Sequence, residues 1–127
     1  MTPATPEPLL DTATVAVRDL VCDGIGAHEA PQGWEHTTYL VFPYRGTFVR
    51  WRDDAPAVAE AGQVLFFNAG DDYRFVHPVN GGDGSLAVRV EESMLRELAP
   101  KSLLREGDAL AFAHERLRID ARAQALV

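Results

Sequence analysis

The chain has 127 residues, of which 46% are hydrophobic and 24% charged, a balance typical of one soluble globular domain rather than a disordered segment. Twelve basic and nineteen acidic residues give a net charge of −7, which argues against a surface that grips a phosphate backbone by itself. One cysteine excludes an intramolecular disulfide, and no apolar run reaches the roughly 20 residues of a membrane span.

The N-terminal part of the chain has weak structural signals. It lacks a basic stretch followed by an apolar one, so no signal peptide is predicted and a cytoplasmic location is expected. Residues 1–8 hold three prolines and are predicted to be a loose tail. Residues 14–17 and 20–22 are predicted as two short strands, with Cys22 as a small buried hydrophobic residue rather than a reactive thiol.

The middle of the chain alternates between strand-forming and turn-forming residues. Residues 37–42 are a strong predicted strand and residues 47–51 a returning one. Between them, residues 43–46 are predicted as a turn or a proline-kinked edge, and residues 52–56 form a further turn.

The segment 62–84 repeats that pattern most clearly. Residues 64–67 form an apolar strand, residues 68–72 supply turn residues, and residues 73–76 return as a second strand. Residues 85–90 then alternate between apolar and polar side chains, as in a half-buried strand. Short strands at this spacing predict a sandwich or barrel.

The pattern becomes helical after the last strand. Residues 91–98 have apolar residues at helical spacing, and Pro100 ends that helix. Asp108 is predicted to cap a last helix over residues 109–127. This helix would stop at its end without a glycine or proline, so we expect the chain to have been cut from a longer protein.

Part of the segment 62–84 fits the second motif of the cupins. Gly62, five residues, Asn68, one residue and Gly70 match its spacing, with Asn68 in place of a proline. Tyr73 falls at the position of the metal-binding histidine, and His77 falls at the position of an asparagine.

The first cupin motif is also altered at its ligands. When its last glycine is placed on Gly46, Tyr39 falls at the glutamate, and no histidine stands at residues 33–35, where histidines belong. His36 is out of register by one residue. With Tyr39 and Tyr73 replacing two ligands, we predict neither a complete metal site nor another cofactor.

Two segments together, WEHTTYLVFPYRGTFV at residues 34–49 and GQVLFFNAGDDYRFVHPVNGGD at residues 62–83, resemble the N-terminal cupin-like domain of AraC-type transcription regulators. The resemblance implies a mainly β fold, a cupin-type double-stranded β-helix (jelly-roll barrel), followed by C-terminal α-helices. One domain would span residues 1–127, with the barrel at about 9–90 and helices at 91–127.

The same resemblance implies a regulatory role and not an enzyme. Such domains sense a small molecule, form homodimers, or do both, and a C-terminal helix-turn-helix domain, which this chain lacks, binds the DNA. The predicted final helix would then supply the dimer face, for which the candidates are Phe112, Leu117, Ile119 and Leu126. No membrane partner is expected.

Aromatic side chains are the candidate effector site. Trp34, Tyr39, Phe67 and Tyr73 would form an apolar wall with hydroxyls to orient a ligand, or would simply fill the barrel. Strand alternation places Tyr73 and His77 on one face, so His77 would donate to a ligand if that face points inward.

Two alternatives remain open at this point. A stand-alone metal-dependent cupin enzyme, such as a dioxygenase or isomerase, would draw its ligands from His28, Glu35, His36 and His77 as a site of histidines and a carboxylate. A dimerisation domain with a solid barrel would bind no ligand.

Overall fold

The computed structural model describes residues 5–22, 26–28, 34, 37–77 and 82–127, with side chains outside residues 5, 6 and 26–28. These residues form strands for most of their length and two short α-helices. The elements are β1 Thr5–Asp11, β2 Val15–Cys22, β3 Gly26–His28, β4 Tyr39–Arg45, β5 Phe48–Arg52, β6 Ala55–Ala59, β7 Gln63–Phe67, β8 Tyr73–His77, β9 Asp83–Val90, α1 Glu92–Leu98, a 3₁₀ turn Lys101–Leu103, β10 Arg116–Arg118 and α2 Ala121–Gln124.

The strands form two antiparallel sheets around one core. The larger sheet has the order β1-β2-β9-β4-β7-β10, and the smaller one has the order β3-β8-β5-β6. Buried residues of both sheets share one cluster: Tyr39 and Leu65 come from the larger sheet, and Phe48 and Phe75 come from the smaller one. The prediction of a mainly β barrel or sandwich is therefore confirmed.

Three predicted strands, residues 64–67, 73–76 and 85–90, are confirmed as β7, β8 and β9. The two short strands predicted before Cys22 are one strand, β2, which pairs along its whole length with β9. Residues 43–46 were predicted as a turn or a proline-kinked edge; the turn is wrong for residues 43–45, which continue β4 with an irregular register after Pro43. Pro43 is tolerated there because the ladder is irregular after it.

The predicted loose tail is wrong from Thr5 onward. Those residues form β1, whose backbone pairs with β2 from Thr5 opposite Val21 to Asp11 opposite Ala16. Because β1 is the edge strand of its sheet, Pro6 and Pro8 fit without breaking a ladder on both sides. The sequence signal was missed because this strand depends on its partner and not on its own propensity.

The first predicted helix is confirmed as α1. The Glu91 carboxylate caps it by accepting hydrogen bonds from the Ser93 and Met94 amides. The hydrogen bond from the Ser93 hydroxyl, followed by these two amide bonds, lowers the Glu91 pKa. Leu95 is the buried residue of α1 and packs with Val64 and Phe66 in a second apolar cluster. Because β7 is buried on both faces, this cluster covers its outer side. No helix in the described ranges is long and apolar enough to cross a membrane.

The predicted helix over residues 109–127 is wrong. Most of that segment is irregular, β10 pairs with β7, and the only helix in it is α2, which Asp120 caps instead of Asp108. The Ile119 amide donates to the Gly62 carbonyl at 3.0 Å, and the Phe66 amide donates to the Glu115 carbonyl at 2.9 Å. The open edge and apolar outer face of β7 thus override helix propensity.

Candidate functional site

A row of aromatic rings fills the space between the sheets. The ring centroids of Trp34 and Tyr39 are 5.4 Å apart, Tyr39 stacks on Phe67 at 4.7 Å, and Tyr73 meets Phe67 edge-on at 4.8 Å. Phe75 continues the row 5.6 Å from Phe67. Four of the five candidate effector residues, Trp34, Tyr39, Phe67 and Tyr73, are therefore brought together, in direct contact with one another. We call this set with Phe75 the ring row.

Most of the ring row is buried, and Tyr73 is its one partly buried member. Trp34 and Phe67 are fully buried, and Tyr39 is 2% exposed. A cleft of about 650 Å³ lies elsewhere, between the β1–β2 turn and the start of α1, and none of the candidate effector residues lines it. Rings in contact at these distances pack as a protein core does.

Trp34 lies at one end of the row beneath two cations. The Arg18 guanidinium is 4.4 Å from its ring centroid and the Arg89 guanidinium is 5.3 Å away. Both contacts are cation–π interactions, which hold the indole ring in place. Two guanidinium groups therefore lie at this end of the barrel interior.

Tyr73 is held by hydrogen bonds on its hydroxyl. Its Oη accepts a hydrogen bond from the backbone amide of Asn68 at 3.0 Å and donates one to an Asp71 carboxylate oxygen at 3.2 Å. Burial raises the pKa of Tyr73, so the hydroxyl stays protonated at neutral pH. Arg50, 1% exposed, lies 5.5 Å from the Tyr73 ring. The Tyr73 hydroxyl thus has both a donor and an acceptor partner within the protein.

Asn68, which stands at the position of the motif proline, joins the barrel to residues 109–127, which we call the C-terminal segment. Its Oδ1 accepts from the Phe112 amide at 2.7 Å and its Nδ2 donates to the Phe112 carbonyl at 3.3 Å. A proline has no side-chain amide and could make neither bond. We call this pair of bonds the Asn68 clamp. It follows directly on Phe67 of the ring row, and sequence reasoning missed it because its partner is 44 residues away.

A second charged contact holds the same segment. Glu115 Oε1 lies 2.8 Å from Arg52 Nη2 and 3.3 Å from Arg50 Nη2. The Arg50 contact is within ion-pair distance but lacks hydrogen-bond geometry. Because Arg50 is buried, Glu115 places a compensating charge beside a cation that water does not solvate.

His77 lies apart from Trp34, at the other end of the interior. As predicted, Phe75 and His77 are buried on the same face of β8, and His77 lies 5.8 Å from the Phe48 ring. Its Nδ1 is 2.5 Å from Asp83 Oδ2, in a buried pair. The Cys22 thiol completes a set of three possible metal ligands whose ligand atoms all lie within 4.8 Å of one another. We call these three residues the Cys-His-Asp cluster.

Sequence reasoning missed this cluster. Cys22 was expected to be a small buried residue, which agrees with its 0% exposure, but its neighbours were not foreseen. The last residue of β2, Cys22, pairs directly with the first residue of β9, Asp83. Only that long-range pairing would have revealed the cluster. Of the alternative metal ligands, His77 belongs to it, while Glu35, His36 and the His28 side chain lie outside the described residues.

The four candidate dimer residues do not share one helix face. Phe112 is 1% exposed and packs 4.6 Å from the Phe66 ring. Leu117 and Ile119 pack against the same second cluster, and Leu126 is 84% exposed. The shared helix face on which the dimer prediction relied is therefore wrong, because Phe112, Leu117 and Ile119 pack against the chain's own second cluster; the dimer contact itself stays a prediction.

No known family model and no curated protein matches the chain. Solved structures do match. A cupin 2 conserved barrel protein from Salinispora arenicola gives a TM-score of 0.61 at 17% identity over 74% of this chain and 81% of its own. The Cupin_2 domain of an XRE family transcriptional regulator from Enterobacter cloacae gives 0.60 at 10% identity, over 70% and 97%. A cupin domain from Bordetella pertussis gives 0.55 at 14% identity, over 71% and 95%. The chain therefore has the cupin barrel fold.

Proposed function

We propose that this chain is the effector-sensing or dimerising domain of an AraC-type transcription regulator and that it has no enzymatic activity. The observation that carries the proposal is the stacking of Tyr39, Phe67 and Tyr73. Tyr39 and Tyr73 stand at positions where metal-binding cupins have a glutamate and a histidine. Their rings and hydrogen bonds use the space that a metal and its substrate would need.

Charge and fold similarity support the regulatory role. The net charge of −7 suits a domain that leaves DNA binding to a separate helix-turn-helix segment. Among its structural neighbours, one is the cupin domain of a transcriptional regulator, of a different family. That neighbour supports the proposal at the level of fold, because one fold hosts many functions.

The contacts suggest how effector binding inside the barrel would change the C-terminal segment. An organic effector that binds between the sheets must part the ring row, because its rings contact one another without a gap for a ligand. Movement of Phe67 would act on the adjacent Asn68 and, through the Asn68 clamp, on Phe112. Since Phe112 lies at the start of the C-terminal segment, an effector would change how that segment packs on β7.

A reporter that depends on dimerisation tests the proposal. The chain is fused to a monomeric DNA-binding domain that represses its operator only as a dimer, and the free 13.9 kDa chain is examined by sedimentation. We expect repression above that of the DNA-binding domain alone and a sedimenting species of twice the monomer mass. A fusion without repression, together with a monomeric chain whose melting temperature no organic compound raises, would contradict the proposal.

One variant locates the dimer contact. Leu126 is the only one of the four predicted dimer residues that is largely exposed, so Leu126→Asp tests the interface without disturbing the core. The matched control is Leu98→Asp on α1, where the leucine is 71% exposed. If the dimer uses the C-terminal segment, Leu126→Asp lowers repression and Leu98→Asp does not.

A further inference from the structure

We propose that Cys22, His77 and Asp83 bind a divalent metal ion of the zinc class. This site is separate from the positions of Tyr39 and Tyr73, where the cupin pattern has ligands. The inference does not depend on the regulatory role, because it rests on the geometry and chemistry of the Cys-His-Asp cluster alone.

The topology gathers the three side chains from three strand ends. Cys22 ends β2 and Asp83 begins β9, and the two residues are direct partners in the antiparallel ladder. His77 ends β8, in the other sheet. A metal held by all three would therefore link the two sheets at this end of the barrel.

The distances are close to those of a zinc site. All three ligand atoms lie within 4.8 Å of one another. Zinc binds sulfur at about 2.3 Å and nitrogen or oxygen at about 2.0–2.2 Å, so tetrahedral ligands are roughly 3.3–3.7 Å apart. Movements of about an ångström by side chains close the difference. The 2.5 Å contact between His77 and Asp83 is shorter than two ligands of one metal would keep, so that pair must separate slightly on binding.

The donor types and the burial suit this metal. A thiolate, an imidazole and a carboxylate are together the borderline-soft set that zinc prefers. Cys22 is fully buried, His77 is 3% exposed and Asp83 is 4% exposed. A thiolate and a carboxylate placed in such an environment carry two negative charges that water does not solvate, and a divalent cation neutralises both.

Two neighbouring features support a built site. Ser85 lies two residues after Asp83 on the same buried face of β9, and its Oγ has no hydrogen-bond partner in the described part of the chain. On the other side, Gly46 packs so closely that a Cβ there would lie 2.9 Å from Asp83 Cα, which fixes the backbone that carries the carboxylate.

Cobalt(II) is the first probe. The chain is stripped of metal with a chelator under reducing conditions and titrated with Co²⁺, and then with Zn²⁺ in competition. We expect one equivalent of Co²⁺ to give intense tetrahedral ligand-field bands and a thiolate-to-cobalt charge-transfer band, both removed by one equivalent of Zn²⁺. Cys22→Ser should abolish the charge-transfer band, and Asp83→Asn should weaken binding at least tenfold. The matched control, His114→Gln at an exposed histidine, should leave both unchanged.

If the variants fail to fold, a measurement on the wild-type protein alone still tests the inference. X-ray absorption at the zinc edge of the loaded chain should show one sulfur at about 2.3 Å. A shell of nitrogen and oxygen only, or no stoichiometric binding, would overturn the inference and leave His77 and Asp83 as a structural hydrogen-bonded pair. Metal retained by Cys22→Ser but lost on His36→Ala would overturn it too, and would favour the cupin enzyme instead.

Discussion

Replacing Asn68 with alanine should loosen the C-terminal segment from the barrel. The substitution removes both bonds of the Asn68 clamp, to the amide and to the carbonyl of Phe112. Each such bond contributes about 1 kcal/mol net, and a buried amide or carbonyl left unpaired costs about 1–3 kcal/mol. Because Phe112 is 1% exposed, water cannot replace the lost partner without local opening. We expect the free energy of unfolding to fall by about 2–4 kcal/mol.

Urea unfolding followed by tryptophan fluorescence measures this change, since the chain contains Trp34 and Trp51. The control is Asp72→Ala, an exposed position in the same loop, which should change the free energy by less than about 0.5 kcal/mol. Asn68→Asp separates the two bonds. It keeps the acceptor for the Phe112 amide but sets a carboxylate oxygen against the Phe112 carbonyl. If the urea midpoint of Asn68→Ala equals that of the wild type, the Asn68 clamp does not stabilise the C-terminal segment and this reasoning is refuted.

Two further predictions concern the turn and strand near Asp83. Gly46→Ala should destabilise the chain by about 2–3 kcal/mol in the same assay, because Gly46 has φ +70° and an added Cβ would lie 2.3 Å from the Gly82 carbonyl oxygen. Gly70→Ala is its matched control: the φ is +89° but nothing lies within 4 Å of the added Cβ, so an equal loss in both variants would refute the contact. Burial, with a 2.6 Å hydrogen bond to Asp19, raises the pKa of Tyr44 to about 12. The ordinary pKa of about 10 applies in the unfolded chain, so this stability is complete below pH 10 and is lost between pH 10 and 12. The loss should be of order 1 kcal/mol, since Tyr44 is only half-buried, and should be absent from alkaline unfolding curves of Tyr44→Phe.

How much the sequence predicts depends on how local the cause of each feature is. β7, β8 and β9 follow from apolar runs, alternation and turn residues, which act within a few residues. β1 and β10 do not: β1 lacks strand propensity of its own and forms by pairing with the next strand, β2, while β10 forms by adding to the edge of β7, which is distant in sequence. Residues 116–119 do alternate between exposed arginines and half-buried Leu117 and Ile119, which is a strand signal. The helical spacing of other apolar residues in this segment favours a helix, but pairing with the edge of β7 makes residues 116–118 a strand.

The same distinction applies to the candidate site: local sequence patterns predict some of its features, and contacts between distant residues decide the others. The grouping of Tyr39, Phe67 and Tyr73 was predictable, because motif spacing places them at known positions on inward faces of strands. Whether those rings enclose a pocket or pack together is decided by contacts across the barrel, which strand patterns do not encode. The Cys-His-Asp cluster was beyond reach for the same reason: Cys22 and Asp83 are 61 positions apart and meet only through strand register.

The two ends of the barrel interior thus carry different side chains. At one end, Arg18 and Arg89 lie over Trp34, and the ring row occupies the space beside it. At the other end, Cys22 and Asp83 offer a thiol and a carboxylate that are already in place and need only small side-chain movements to hold an ion. An organic effector must separate stacked rings before it binds, and the loss of their contacts reduces its affinity. A metal ion needs only the smaller movement that separates His77 from Asp83. The barrel is therefore better prepared to respond to a small cation than to an organic molecule, and in a regulator the cation would be the signal to test first.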